Sequence, residues 1–453
     1  MNQFRFGTGI SSYQVEGDRS GRDSCIWDDF CLVKGNIKDK TDGNVAIDFY
    51  HRYKEDLQCA KELGIQDFRF SISWPRVIKD DGSVNEEGLD FYSDLVDEII
   101  KDGMNPVITI FHWDLPSVLM KKGGFTNRSI ITDFIHYVEV LSKKLSPRVK
   151  DWITFNEPQC FIGIGYQKRG QAPKIDCDYI TMAKAAHNVL LCHSHAYQIL
   201  KKDNPNCTVS FVNTFNVPLP YGRKKENMEK ELSDILFTVP NTKEEFYTLS
   251  IYSDPLYLGS YPEKYLKKTG ISEIIEDGDM DLIRKSKPDY LCLNIYTGTY
   301  YRNNKEGKTV IYEKKTESEK TDLPWLLRRE KSIYYGCKYL YNRYKAPIII
   351  TENGGCYHDR LLKDKAVHDK ERCQYLRKYL HEVKQCIKEE IDIRGYYYWS
   401  LFDNFEWEWG ESKRFGLVYI DYKDHLKRYK KDSFFAYQRI IKKGLLKNSI
   451  ISK

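Results

Sequence analysis

Eight short apolar runs, alternating with amphipathic stretches, set the tightest limit on how this chain can fold. The runs are residues 4–10, 67–71, 107–113, 151–155, 208–213, 290–296, 347–352 and 395–400. Helical periodicity is clearest over 48–63, 87–102, 132–144, 180–203, 332–344 and 369–390. A strand that is apolar at successive positions has both faces covered, as in a parallel sheet clad in helices. Two architectures share this alternation. An open doubly wound sheet usually carries a glycine-rich phosphate turn after its first strand. Here that turn reads Gly7-Thr8-Gly9-Ile10-Ser11-Ser12 and lacks the third spaced glycine. The expected fold is therefore α/β, a single (β/α)8 TIM barrel over residues 1–453, a length such barrels commonly reach as one domain. Residues 218–231, 302–320 and 357–369 are strongly charged and are expected to be solvated loop insertions.

Composition removes several classes of function. The net charge is +6, from 71 basic and 65 acidic residues spread along the chain, which is not the concentrated basic surface of a nucleic-acid binder. No run approaches the roughly 20 apolar residues of a membrane-spanning helix. The 12 cysteines form no Cys-x-x-Cys pair and no Cys/His cluster of zinc spacing, so no metal and no cofactor are expected. Cysteines at core-like positions (Cys59, Cys292, Cys386) read as reduced thiols, and the first strand begins too early to leave room for a signal peptide. A cytoplasmic location is expected, and the sequons at Asn127 and Asn206 read as chance.

In such a barrel, chemistry sits at the carboxyl ends of the strands. Two carboxylates fall there. Asp151-Trp152-Ile153-Thr154-Phe155-Asn156-Glu157-Pro158 runs the fourth strand out to Glu157, and Pro347-Ile348-Ile349-Ile350-Thr351-Glu352-Asn353-Gly354 runs the seventh out to Glu352. A Glu closing an apolar strand is partly desolvated, which raises its pKa as a general acid requires. A second carboxylate about 5–5.5 Å away could attack a sugar's anomeric carbon and give a retaining mechanism. Gln14, His112, Trp113, Asn294, Tyr296, Trp399, Glu406 and Trp407 follow other strand ends, and the last loop continues to Phe415. Amides, imidazole and carboxylate can hold hydroxyls, and indole faces stack on the C–H faces of a sugar ring. The chain's 14% aromatic content, with 34 Tyr and 8 Trp, suits a carbohydrate cleft as well as it suits core packing.

The same residues carry a resemblance. From near its start to about residue 443 the chain resembles the family 1 glycoside hydrolases, the β-glucosidase family. The matching stretches are Ser12-Tyr13-Gln14-Val15-Glu16-Gly17, Phe68-Arg69-Phe70-Ser71-Ile72-Ser73-Trp74-Pro75-Arg76 and Phe111-His112-Trp113-Asp114-Leu115-Pro116. Further on are Trp152 to Pro158, Ile350 to Gly354 and Trp399-Ser400-Leu401-Phe402-Asp403-Asn404-Phe405-Glu406-Trp407. The resemblance implies Glu157 as acid/base and Glu352 as nucleophile, with Arg69 and Tyr296 supporting the nucleophile. It implies Asn156 on the sugar 2-hydroxyl, Gln14, His112, Glu406 and Trp407 on the 3-, 4- and 6-hydroxyls, Trp399 under the ring and Trp325 on the aglycone side. Members acting on 6-phosphoglycosides carry Ser where this chain has Glu406, then Lys and Tyr. Here Lys413 is kept and Phe415 replaces the Tyr, so a neutral small-molecule β-glycoside is the expected substrate. Gln159, Ile295, Arg329 and Lys331 depart from the family pattern and are expected near the aglycone. The alternatives are a transglycosylating relative, separable by products at high acceptor concentration, and a catalytically silent sugar-binding protein, separable by turnover of a chromogenic glucoside.

Overall fold

The computed structural model describes residues 4–445 apart from 169, 223–225, 269 and 314. Eight parallel strands close into a barrel: β1 Arg5–Gly9, β2 Asp67–Ser71, β3 Asn105–Phe111, β4 Asp151–Asn156, β5 Thr208–Thr214, β6 Leu291–Asn294, β7 Ile348–Asn353 and β8 Ile393–Trp399. Neighbours in the barrel are neighbours in sequence, and β8 returns to β1 with Gly7 opposite Tyr397 and Gly9 opposite Trp399. The expected barrel is therefore the observed one.

Both faces of the strands are filled, which explains their unbroken apolar runs. Outside, helices pack through stripes at helical spacing. In the helix Glu86–Lys101, Leu89, Tyr92, Leu95, Val96 and Ile99 are buried while Glu86, Asp90 and Asp94 face water. Each such aliphatic burial is worth about 1.5–3 kcal/mol. Inside, Val107, Ile153, Val212, Cys292, Ile349 and Tyr397 meet as one layer, a side chain from each of six strands. Gly7 makes room for that layer, since a Cβ there would stand 2.4 Å from the Tyr397 ring. Below it, Arg5 pairs with Asp67 at 3.2 Å and Asp151 at 2.9 Å, closing the amino-terminal end. Two residues further along four of these strands the side chains become polar: Thr109, Thr214, Asn294 and Thr351 follow Val107, Val212, Cys292 and Ile349. The floor of the barrel is thus structural and its upper end is built for polar contacts.

The charged stretches differ from expectation. Val217–Pro220 pairs in parallel with Gly298–Asn303, which pairs antiparallel with Thr309–Ile311, so 218–231 and 302–320 contribute to a small sheet beside the barrel. A helix, Glu226–Leu236, follows. Val217 and Leu219 are fully buried, and their alternation was obscured by the Lys and Glu around them. The stretch 357–369 has no helix or strand, yet its Asp359 and Asp369 are paired with buried Arg372. Among the described residues no helix is long and apolar enough to cross a membrane.

Candidate active site

At the carboxyl ends of the strands lies a cleft of about 720 Å³. Two local irregularities aim the carboxylates into it. Between Ile153 and Asn156 the register of β4 slips against β5, and between Ile350 and Glu352 that of β7 slips against β6. Such bulges bend a strand and redirect its side chains. Consecutive residues Thr351 and Glu352 can therefore both point inward, Thr351 Oγ1 donating to Asn294 Oδ1 at 2.7 Å. Glu157 leaves β4 with φ 52°, a left-handed conformation that a non-glycine residue holds only against strain. Its N–H is anchored to the Val212 carbonyl at 3.0 Å, and Pro158 starts the short helix behind it. After β7, Gly354 passes so close to β8 that a Cβ would sit 1.9 Å from the Trp399 carbonyl oxygen, which fixes glycine after Glu352-Asn353.

Glu352 receives a hydrogen bond on each oxygen. Arg69 Nη1 donates to Oε1 at 2.6 Å and Tyr296 Oη to Oε2 at 2.7 Å. Burial, then the charge of Glu352, hold the Tyr296 phenol well above its ordinary pKa, so it stays a donor. Arg69 is itself fixed: Nη2 donates to Asn156 Oδ1 at 2.7 Å and Nε to Thr109 Oγ1 at 3.1 Å. Glu157 accepts from Asn294 Nδ2 at 2.7 Å and, more weakly, from the Cys160 thiol at 3.5 Å. Burial, and then the charge of Glu352, push the Glu157 carboxyl up to about 8. Near neutral pH this group holds a proton that it can give away.

The remaining walls suit a ring bearing hydroxyls. Asn156 Oδ1 accepts from both Arg69 and Asn294, so its amide points at His112 Nε2, 3.1 Å away. That leaves the His112 proton on Nδ1, which is buried and has no protein partner. Burial, then Arg69, keep His112 well below its ordinary pKa and hence neutral. Glu406 Oε2 likewise has no protein partner. Burial, then Glu408, raise its carboxyl well above the usual range. Trp407 packs against Trp113 and Trp27 with ring centres 4.4 and 4.5 Å away, and Trp399 stacks on His112. Trp325, 48% exposed, meets the Tyr296 ring edge-on at the mouth.

Ten residues singled out from sequence line this one cleft: His112, Trp113, Glu157, Tyr296, Trp325, Glu352, Trp399, Glu406, Trp407 and Phe415. Four others stand behind its wall. Arg69, Asn156 and Asn294 carry the hydrogen bonds just described. Gln14 spends its amide on neighbours, accepting from Ser11 and donating to Asn404 Oδ1 and the Phe405 carbonyl, and so anchors the loop that bears Glu406. The departures from the family pattern are placed otherwise than expected, since none of their side chains lines the cleft. Gln159 is buried on Asn213, Ile295 is buried, Arg329 bonds the Gly298 carbonyl and Lys331 pairs with Glu382. Sequence reading missed Cys160, Tyr247, Gln171 and Lys174, which do line it. Cys160 is three residues beyond Glu157 on a helical turn, a spacing that could have revealed it. Among the described residues no three His, Cys, Asp or Glu side chains converge as metal ligands do.

Comparison with known proteins agrees with this geometry. The chain is 35% identical to β-glucosidase A of Thermotoga maritima over 451 residues, 98% of each chain. It is also 35% identical to an aryl-phospho-β-D-glucosidase of Bacillus subtilis over 471 residues, 97% of this chain and 96% of that one. Among solved structures, the T. maritima β-glucosidase in complex with glucoimidazole superposes with a TM-score of 0.86 at 34% identity, covering 97% of this chain and 98% of that one. The profile of glycosyl hydrolase family 1 matches residues 1–445, and the chain belongs to that family, an enzyme that hydrolyses O-glycosyl bonds.

Proposed function

We propose that this enzyme hydrolyses terminal, non-phosphorylated β-D-glucosides with retention of configuration. The observation that carries the reading is the contrast between two carboxyls in one cleft. Glu157 is held protonated at neutral pH, whereas Glu352 has a donor on each oxygen and a clear face toward the cleft. In the first step Glu157 gives its proton to the glycosidic oxygen as a Glu352 oxygen attacks the anomeric carbon. The aglycone leaves as an alcohol and a glucosyl ester forms on Glu352. In the second, the Glu157 carboxylate takes a proton from water, water attacks the same carbon, and Glu352 is released. Two inversions return the β-anomer. The unpartnered atoms of His112 and Glu406 are free for sugar hydroxyls, and Asn156, which the family resemblance assigns to the 2-hydroxyl, supports the site from behind through His112 and Arg69.

Three features support a neutral sugar. Glu406 occupies the wall with an unpartnered oxygen. Lys413, which could have met a phosphate, lies 3.4 Å from Asp322 and over the Trp409 ring. Phe415 is apolar and 2% exposed. The raised pKa of Glu406 weakens simple charge repulsion, so the engagement of Lys413 by Asp322 and Trp409 carries more of the discrimination. A nitrophenyl β-glucoside is expected to exceed its 6-phosphate in kcat/KM by at least about 100-fold, or roughly 2.7 kcal/mol. Comparable rates on the two would overturn this reading. The location we infer is cytoplasmic, supported by twelve free cysteines, a pattern of reducing compartments.

A further inference from the structure

One wall of the cleft takes no part in the roles above. Asn36 and Lys38 come to it from the segment after β1, Gln171 and Lys174 from the segment after β4, and Glu408 and Trp409 from the segment after β8. The three segments are tied together. Gln171 Nε2 donates to Glu408 Oε2 at 2.7 Å, the Lys38 N–H donates to the Glu408 carbonyl at 2.8 Å, and Lys174 Nζ donates to Asn36 Oδ1 at 2.7 Å. Each lysine ammonium also rests on an aromatic face of the same cleft. Lys38 Nζ is 6.0 Å from the centre of the Trp409 ring and Lys174 Nζ 5.7 Å from that of Phe30. Both lysines are exposed, and among the described residues neither forms an ion pair with a carboxylate, although Lys38 lies near enough to Glu408 to favour its charged form. Lys174 is held at φ 58°, a left-handed conformation that suits glycine and opposes a side chain. A strained lysine and a second one that lies near Glu408 without forming an ion pair, both over aromatic rings at the cleft, form a cationic and aromatic wall.

We propose that this wall receives an anionic aromatic aglycone, its ring against Phe30 and Trp409 and its carboxylate between the Lys38 and Lys174 ammoniums. The preferred leaving groups are then phenols bearing a carboxylate, such as hydroxybenzoates and hydroxycinnamates. This deepens the glucosidase reading and rests on it. Cation–π contact holds each ammonium over a ring face, and the N–H groups turned away from the ring remain open to a carboxylate oxygen. Burial holds Glu157 and Glu406 toward their neutral forms, which limits repulsion from the catalytic end of the cleft.

The test compares kcat/KM for the β-glucosides of 4-hydroxybenzoate and 4-hydroxycinnamate with those of their uncharged amides. It uses the wild type and the double variant Lys38→Met, Lys174→Gly. Glycine suits the φ of position 174, so that substitution relieves strain as it removes charge. The acid-to-amide ratio is the readout, because leaving-group acidity and any general loss of activity cancel between the two proteins. The ratio is expected to fall about tenfold in the double variant, mainly through KM, and to fall with added salt in the wild type alone. An unchanged ratio for both pairs overturns the proposal. If the wild type cleaves none of these glucosides, the glucosidase reading fails separately. The wall is then judged from quenching of the cleft tryptophans by free 4-hydroxycinnamate and its amide. Tighter binding of the acid to the wild type than to the double variant supports the wall, and equal binding overturns it.

Discussion

Replacing Asn294 by Ala should move the alkaline limb of the pH–rate profile upward. Two effects lift the Glu157 carboxyl to about 8, burial first and the charge of Glu352 second, and the strongest opposing effect is the Asn294 hydrogen bond. That bond is 2.7 Å long and falls on Glu157 Oε1. Hydrogen bonds to charged groups are worth about 1.5–3 kcal/mol, and one pKa unit corresponds to about 1.36 kcal/mol, so complete loss amounts to roughly 1–2 units. Water entering the space left by the amide returns part of this, and an upward shift of about 1 unit is expected. The sign follows from the role: Glu157 is active when protonated, so a higher pKa preserves activity to higher pH. With the limb near 8 the wild type keeps about a tenth of its neutral kcat/KM at pH 9, and with the limb about one unit higher the variant keeps about half. The assay is kcat/KM against pH for a phenyl or alkyl β-glucoside, whose leaving group needs the proton. Asn294 also donates to Asn156 and accepts from Thr351, so the height of the profile will fall. The limb's position, not its height, carries the test. A limb that stays in place or moves to lower pH would refute the account of how Glu157 is tuned.

Two further outcomes follow from the same geometry. Glu157→Ala should lose most activity on alkyl glucosides and least on glucosides of very acidic phenols, which leave without protonation and then accumulate the glycosyl-enzyme; steady-state and burst kinetics across a leaving-group series would show this, and equal losses throughout would remove Glu157 from the role. Glu157→Gln should change how stability depends on pH. A carboxyl whose folded pKa lies above its ordinary value of 4.5 supports the fold below that value, and the support is lost as pH rises toward about 8. The Tm of the wild type should therefore decline relative to the Gln variant across that window and run parallel to it above; parallel curves throughout would mean that Glu157 titrates normally.

Much of the barrel was legible because its strands are buried on both faces. A run such as Ile348-Ile349-Ile350 has no solvent side to encode, and the helix stripes repeat at fixed spacing. Glu157 and Glu352 were legible because a carboxylate ending such a run is chemically out of place. The finer placement was not, because it depends on backbone irregularity. The bulges in β4 and β7 decide that Asn156 and Glu157, or Thr351 and Glu352, serve one site although they are adjacent in sequence. Gln159 and Ile295 stand next to site residues and point away from the cleft, and nothing in their identity signals this. The small sheet containing Val217 and Leu219 was hidden by its charged flanks, and Lys174 reaches the cleft through a left-handed turn that no local pattern announces.

The central claim is that Glu352 becomes covalently glucosylated during turnover. Incubation with a 2-deoxy-2-fluoro-β-glucoside bearing an acidic leaving group should load the protein and then stall, because the fluorine slows release of the intermediate. Intact mass spectrometry is expected to show one fluoroglucosyl group per chain, and peptide mapping to place it on Glu352, with no labelling in Glu352→Gln. A protein that turns over β-glucosides yet acquires no adduct, or acquires it on another residue, would contradict the account.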